Sequence, residues 1–126
     1  MNKPISKIKN MSPLFVVAHL ENSIEFYTVQ LGFSIDFRYE DFYAGIIKDG
    51  FSIHLKLGTP SSEERKSKRI KEDIDITFSV SGIEELYADF LDKPVEIIQP
   101  LRGMPYDREF YIADTDGYIL AYLETE

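Results

Sequence analysis

Two side chains have both the type and the spacing to do chemistry together: His54 in the apolar-polar run 51–57, and Asp75 in the run 74–80. An imidazole and a carboxylate can hydrogen-bond a ligand, pair with each other, or offer two donors to a divalent cation. A divalent centre wants several nitrogen or anionic oxygen donors converging at about 2.0–2.2 Å, and two donors leave half the sphere to water. The pair therefore argues first for hydrogen bonding to a small molecule. A weakly held divalent metal on His54 and Asp75 is the alternative, and the leading reading has no cofactor. His19, the other histidine, opens a helical segment and reads as local structure. With no cysteine there is no thiolate ligand, no thiol nucleophile and no disulfide framework. Neither a Gly-x-Ser-x-Gly elbow nor a phosphate-binding glycine loop occurs. Asp114 and Asp116 read as turn residues around Gly117 rather than as an acid/base pair.

The elements that must position these groups follow from alternation. In 51–57, Phe51, Ile53, Leu55 and Leu57 suit a helix-covered face, which turns Ser52, His54 and Lys56 the other way. In 74–80, Ile74, Ile76, Phe78 and Val80 alternate with Asp75, Thr77 and Ser79. Each run presents a polar row on the face away from its helix, and pairing the two would make the floor of a cleft. The chain also repeats itself: 42–55 and 110–122 are each two alternating apolar runs joined at Asp-Gly, a strong hairpin signal. Upstream of the first copy lie a strand at 14–18 and a helix whose apolar positions are Leu20, Ile24, Tyr27 and Leu31, closed by Gly32. Upstream of the second lie the strand 74–80 and a helix with the stripe Ile83, Leu86, Tyr87 and Phe90. The spacing Ser81…Glu84 predicts a capping box at its start. Further strands are expected at about 33–39, 42–48 and 94–99, with 100–106 a loop and the closing hairpin at about 108–124. The expected fold is α+β: two βαβββ modules in tandem, each a curved mixed sheet with a helix on its outer face. The modules span about 12–57 and 73–124 of a single domain, 1–126, with a solvated linker at about 58–72.

At 126 residues, 44% of them hydrophobic, the chain suffices for one core. No stretch approaches the roughly 20 apolar residues of a membrane span, and the first seven residues lack an apolar leader core. A cytoplasmic location with no membrane partner is expected. The formal charge of −8 argues against nucleic acid. Only 63–72 is basic, at net +2, leaving −10 elsewhere to favour a cationic ligand.

The motifs Glu25-Phe26-Tyr27, Leu31-Gly32-Phe33, Arg108-Glu109-Phe110 and Asp114-Thr115-Asp116-Gly117 give a resemblance to the vicinal oxygen chelate superfamily of glyoxalases, extradiol dioxygenases and bleomycin-resistance proteins. Within it the chain is similar to bleomycin-resistance proteins in 31–37, 82–88 and 105–110. The metal positions that the resemblance implies are Ser12, His54, Asp75 and Ala121, of which the first is a weak ligand and the last is none. The resemblance also implies a metal-free homodimer that sequesters an aromatic, cationic small molecule rather than transforming it. Its ligand contacts would be Asp36, Phe37, Phe42, Tyr43, His54, Lys56, Thr77, Tyr106 and Arg108. Two departures stand out: Thr77 and Ser79 lie where tryptophan is familiar, and Lys56 points a cation at the ligand. The rival reading is a lyase, isomerase or dioxygenase using His54 and Asp75 on a metal.

Overall fold

A computed structural model describes residues 5–125. The first module contains β1 (Leu14–Val17), α1 (Leu20–Glu25), β2 (Ser34–Tyr39), β3 (Tyr43–Lys48) and β4 (Phe51–Leu57). After α2 (Ser62–Lys71) the second contains β5 (Ile76–Ser79), α3 (Ile83–Leu91), β6 (Glu96–Gly103), β7 (Asp107–Ala113) and β8 (Ile119–Thr125). Each module is a four-stranded mixed sheet, ordered β1-β4-β3-β2 and β5-β8-β7-β6, with only the β1–β4 and β5–β8 pairs parallel. This is the tandem βαβββ architecture that the repeat predicts.

The helical spacing in the first module is borne out, since Leu20, Ile24, Tyr27 and Leu31 are all buried. α1 continues as a π-helical turn over Phe26–Gln30, where Leu31 N–H donates to Phe26 O, and the wider turn lets adjacent Phe26 and Tyr27 both bury their rings. Gly32 then takes φ 81° to end the helix.

One core spans both modules. Phe15 of β1 stacks on Tyr118 at 4.2 Å, and Phe33 meets Phe78 edge-on at 6.3 Å. The Tyr118 hydroxyl donates to Val16 O (2.8 Å) and accepts from Val16 N–H (3.1 Å), so a side chain closes the free edge of β1. Buried Tyr27 donates to Asp114 Oδ2 at 2.7 Å. Burial raises the Asp114 carboxyl to about 6, although Tyr27 O–H and the N–H groups of Tyr118 and Asp116 pull the other way.

Three local expectations need correction. The stretch 58–72, expected as a solvated linker, is helical over 62–71. Ser61 Oγ accepts from Glu64 N–H at 3.2 Å, Glu63 and Glu64 sit in the first turn, and Lys68, Arg69 and Lys71 sit in the last. That charge order suits the helix dipole. Nothing on α2 is buried; salt bridges from Arg65 and Lys68 to Asp75, and from Arg69 to Glu96, hold it in place. The second correction is the capping box of α3, which does not form. Gly82 is the N-cap at φ 69°, and the Glu124 carboxylate of β8 accepts from Gly82 and Ile83 N–H at 3.2 and 3.1 Å. Third, β6 runs on through Pro100 to Gly103. It is an edge strand with an irregularity between Gln99 and Arg102, and there a missing N–H breaks no ladder.

Candidate functional site

Alternation places His54 as expected. Ile53 and Leu55 are buried on the helix side of β4, while His54 lies half-buried on the open side. In the register, Gly45 and Leu14 flank His54, and Tyr43 lies opposite Lys56. Phe37 joins this face because of a bulge. Ile35 pairs with Ile46 on the helix side, yet Phe37, two residues on, pairs with Gly45 on the open side. The extra residue, exposed Asp36, flips the strand and re-aims the ring.

Phe37 then lies flat over Gly45. A Cβ at Gly45 would stand 2.3 Å from Phe37 Cε1, so only glycine lets the ring down onto the sheet. Phe37 packs against the His54 ring at 5.2 Å, edge to face, and stacks beside Tyr43 at 6.0 Å. The Tyr43 hydroxyl lies 2.8 Å from His54 Nδ1, which leaves Nε2 as the ring nitrogen that Tyr43 does not engage. Each ring contact is worth about 0.5–1.5 kcal/mol beyond burial. Phe42 extends the patch through Tyr39, 5.5 Å away. Phe37, Tyr39, Phe42 and Leu14 remain 37%, 62%, 41% and 50% exposed, an apolar area of the kind that usually meets a partner or a ligand.

The remaining sequence-picked residues lie elsewhere. Thr77 is exposed on the second sheet, opposite Ala121. Tyr106 is exposed in the turn between β6 and β7. Arg108 turns to the helix side, bonding Glu84 of α3 at 2.6 Å and Glu124 at 3.0 Å, so it braces α3. Asp75 is not near-paired with His54: its carboxylate accepts from Arg65 (2.8 Å), Lys68 (2.6 Å) and Ile119 N–H (2.8 Å). Burial alone would raise the Asp75 carboxyl, but Lys68, the Ile119 N–H and Arg65 outweigh it and hold it below the usual range.

The donor set does not fit a divalent metal. Ser12 is hydrogen-bonded to Ser52, His54 Nδ1 is held by Tyr43, Asp75 is spent on two cations, and Ala121 is buried without a donor. Among the described residues no three His, Cys, Asp or Glu converge. Sequence reasoning missed Gly45, although an isolated strand glycine signals close approach. It also missed the carboxylate pair on the second sheet. Glu109 accepts from Arg102 and Tyr111 at 2.7 and 2.6 Å, while burial and the neighbouring Glu109 raise the Asp107 carboxyl.

Paired βαβββ modules around one core, with an aromatic face open on the first sheet, define the class of protein. The sequence profile of the Glyoxalase/Bleomycin resistance protein/Dioxygenase superfamily matches residues 11–122, and the chain belongs to that superfamily. No curated protein matches the sequence. Among solved structures, UcmS2 is similar with TM-score 0.74 and 18% identity over 94% of this chain and 98% of that one. TioX from Micromonospora sp. ML1 follows at 0.73 and 14%, over 94% and 99%. The bleomycin-binding protein of bleomycin-producing Streptomyces verticillus, solved with copper(II)-bleomycin, superimposes at 0.71 with 17% identity over 97% and 100%. At these identities the likeness is one of fold. No helix among the described residues is long and apolar enough to cross a membrane.

Proposed function

We propose that the chain is a cytoplasmic small-molecule binding protein that sequesters an aromatic, cationic, antibiotic-like ligand without a metal and without transforming it. The observation that carries this reading is the open cluster of Phe37, Tyr43 and His54, seated on Gly45 by the Asp36 bulge. Flat rings with one imidazole nitrogen left over by Tyr43 suit stacking plus a single hydrogen bond, and among the described residues no three His, Cys, Asp or Glu converge to hold a metal. The net charge of −8 favours approach of a cation. The bleomycin-binding structural neighbour supports the ligand class. In this reading the face is half of a site that a second copy closes to make a homodimer with the ligand between chains, and the exposure of Phe37, Tyr39, Phe42 and Leu14 supports it.

Calorimetric titration with a bleomycin-family glycopeptide tests the reading. Saturable heat is expected, with Phe37→Ala weakening affinity about tenfold for one lost stack. Absence of both heat and thermal shift at high excess removes the drug-binding form. Light scattering that finds a monomer at micromolar concentration removes the dimer.

A further inference from the structure

The basic run of α2 lines a cleft of about 610 Å³ that the proposed ligand face does not use. Its polar lining includes Thr59, Ser62, Arg65, Lys66, Arg69 and Thr115. Three cations and three hydroxyls thus face one space, on a chain whose formal charge is −8. The one carboxylate of the lining, Asp116, has both oxygens hydrogen-bonded: Oδ1 accepts from Ala18 N–H at 3.0 Å and Oδ2 from the Ser23 hydroxyl at 3.3 Å.

Arg65 is the preorganised member. Its guanidinium lies 4.2 Å over the Tyr118 ring, and its side chain is 11% exposed. Nη1 donates to Asp75 and Nη2 to Glu64, two of the five N–H donors of the fork. Asp75 also takes Lys68 at 2.6 Å and Arg69 pairs with Glu96, so Lys66 is the lining cation that has no ion pair among the described residues. A guanidinium fixed by stacking and a fork contact loses little freedom when it takes up an oxyanion.

We propose that this cleft binds a small oxyanion, the phosphate or carboxylate group of a metabolite-sized molecule. Arg65 and Lys66 are its cationic contacts, and Thr59, Ser62 and Thr115 its hydroxyl contacts. The site is separate from the aromatic face, and either can fail without the other.

Amide NMR of the whole chain, titrated with inorganic phosphate against sodium chloride at matched ionic strength, tests it. Saturable shifts confined to 58–66 and 115–117 are expected, absent with chloride. Lys66 is exposed, so Lys66→Gln leaves the fold intact and should weaken binding about 3- to 10-fold. An acetate arm separates the two anion classes, because the class that saturates at lower concentration names the group. Shifts that grow linearly, match those of chloride or ignore Lys66→Gln overturn the site, since simple screening does all three.

Discussion

The two modules share a backbone and differ in what they stand on it. By register, Phe37, Gly45, His54 and Tyr43 of the first correspond to Gln99, Tyr111, Ala121 and Glu109 of the second. Even the bulge recurs, between Ile35 and Phe37 in β2 and between Ile97 and Gln99 in β6. In the first module the ring sits on the edge strand over a glycine, and the face stays open. In the second the ring is Tyr111 on the inner strand, buried with Ala121 and Ile119, and bonded to Glu109 and approached by Arg102. One duplicated scaffold therefore carries a face with exposed rings and a face whose ring is buried among its own side chains. The turns differ too: module two has Asp114 where module one has Ile47, ahead of the matching Asp-Gly turn.

That last contrast carries the largest expected effect. The carboxyl of Asp114 is raised from 3.8 to about 6, so the folded state holds its proton more tightly than the unfolded chain. Its stabilising contribution is full below pH about 4 and is lost as pH rises to about 6, a change of about 3 kcal/mol. Denaturant melts between pH 4 and 6.5 should show this slope, and Asp114→Asn should remove it. Asp75, held below its usual range, loses its contribution only at lower pH.

Making the modules alike should come next. Ala121→His puts in module two the residue that module one has, but at a fully buried position. Overpacking there should cost about 1–3 kcal/mol in chemical denaturation. Gly45→Ala works in the other direction: the new Cβ must push Phe37 off the sheet. We expect weaker ligand binding, about tenfold, with stability changed by less than about 1 kcal/mol. A double-mutant cycle with Phe37→Ala should show that the two losses do not add. The smallest expected effect is at Lys56, on the open face opposite Tyr43. Lys56→Ala should tighten binding of a cation about two- to fivefold at low salt, and the gain should fade as salt rises.

Much of this was legible in the sequence because it is local. Two Asp-Gly turns, the alternation of 51–57 and 74–80, and the spacing of Leu20, Ile24, Tyr27 and Leu31 give the fold without any long-range knowledge. What stayed hidden depends on partners distant in the chain. Ser81…Glu84 has the right local spelling for a cap, yet Glu124, some forty residues away, takes the two N–H groups. Asp75 reads as a free polar-face carboxylate until α2 folds back over it. The α2 signals were local, Ser61 with Glu64 and acid before base, but Gly58, Pro60 and dense charge outweighed them. At the candidate site, His54 and Lys56 follow from alternation, Tyr43 and Phe37 were expected from the resemblance alone, and the bulge that turns Phe37 onto this face is one that no period-two reading can find.

The most direct test of the open-face account is amide NMR of the chain titrated with copper-free bleomycin. The account predicts the largest, saturable shifts at Phe37, Tyr43, Gly45 and His54, lost in Phe37→Ala. Saturable binding that leaves those four signals unmoved would contradict it.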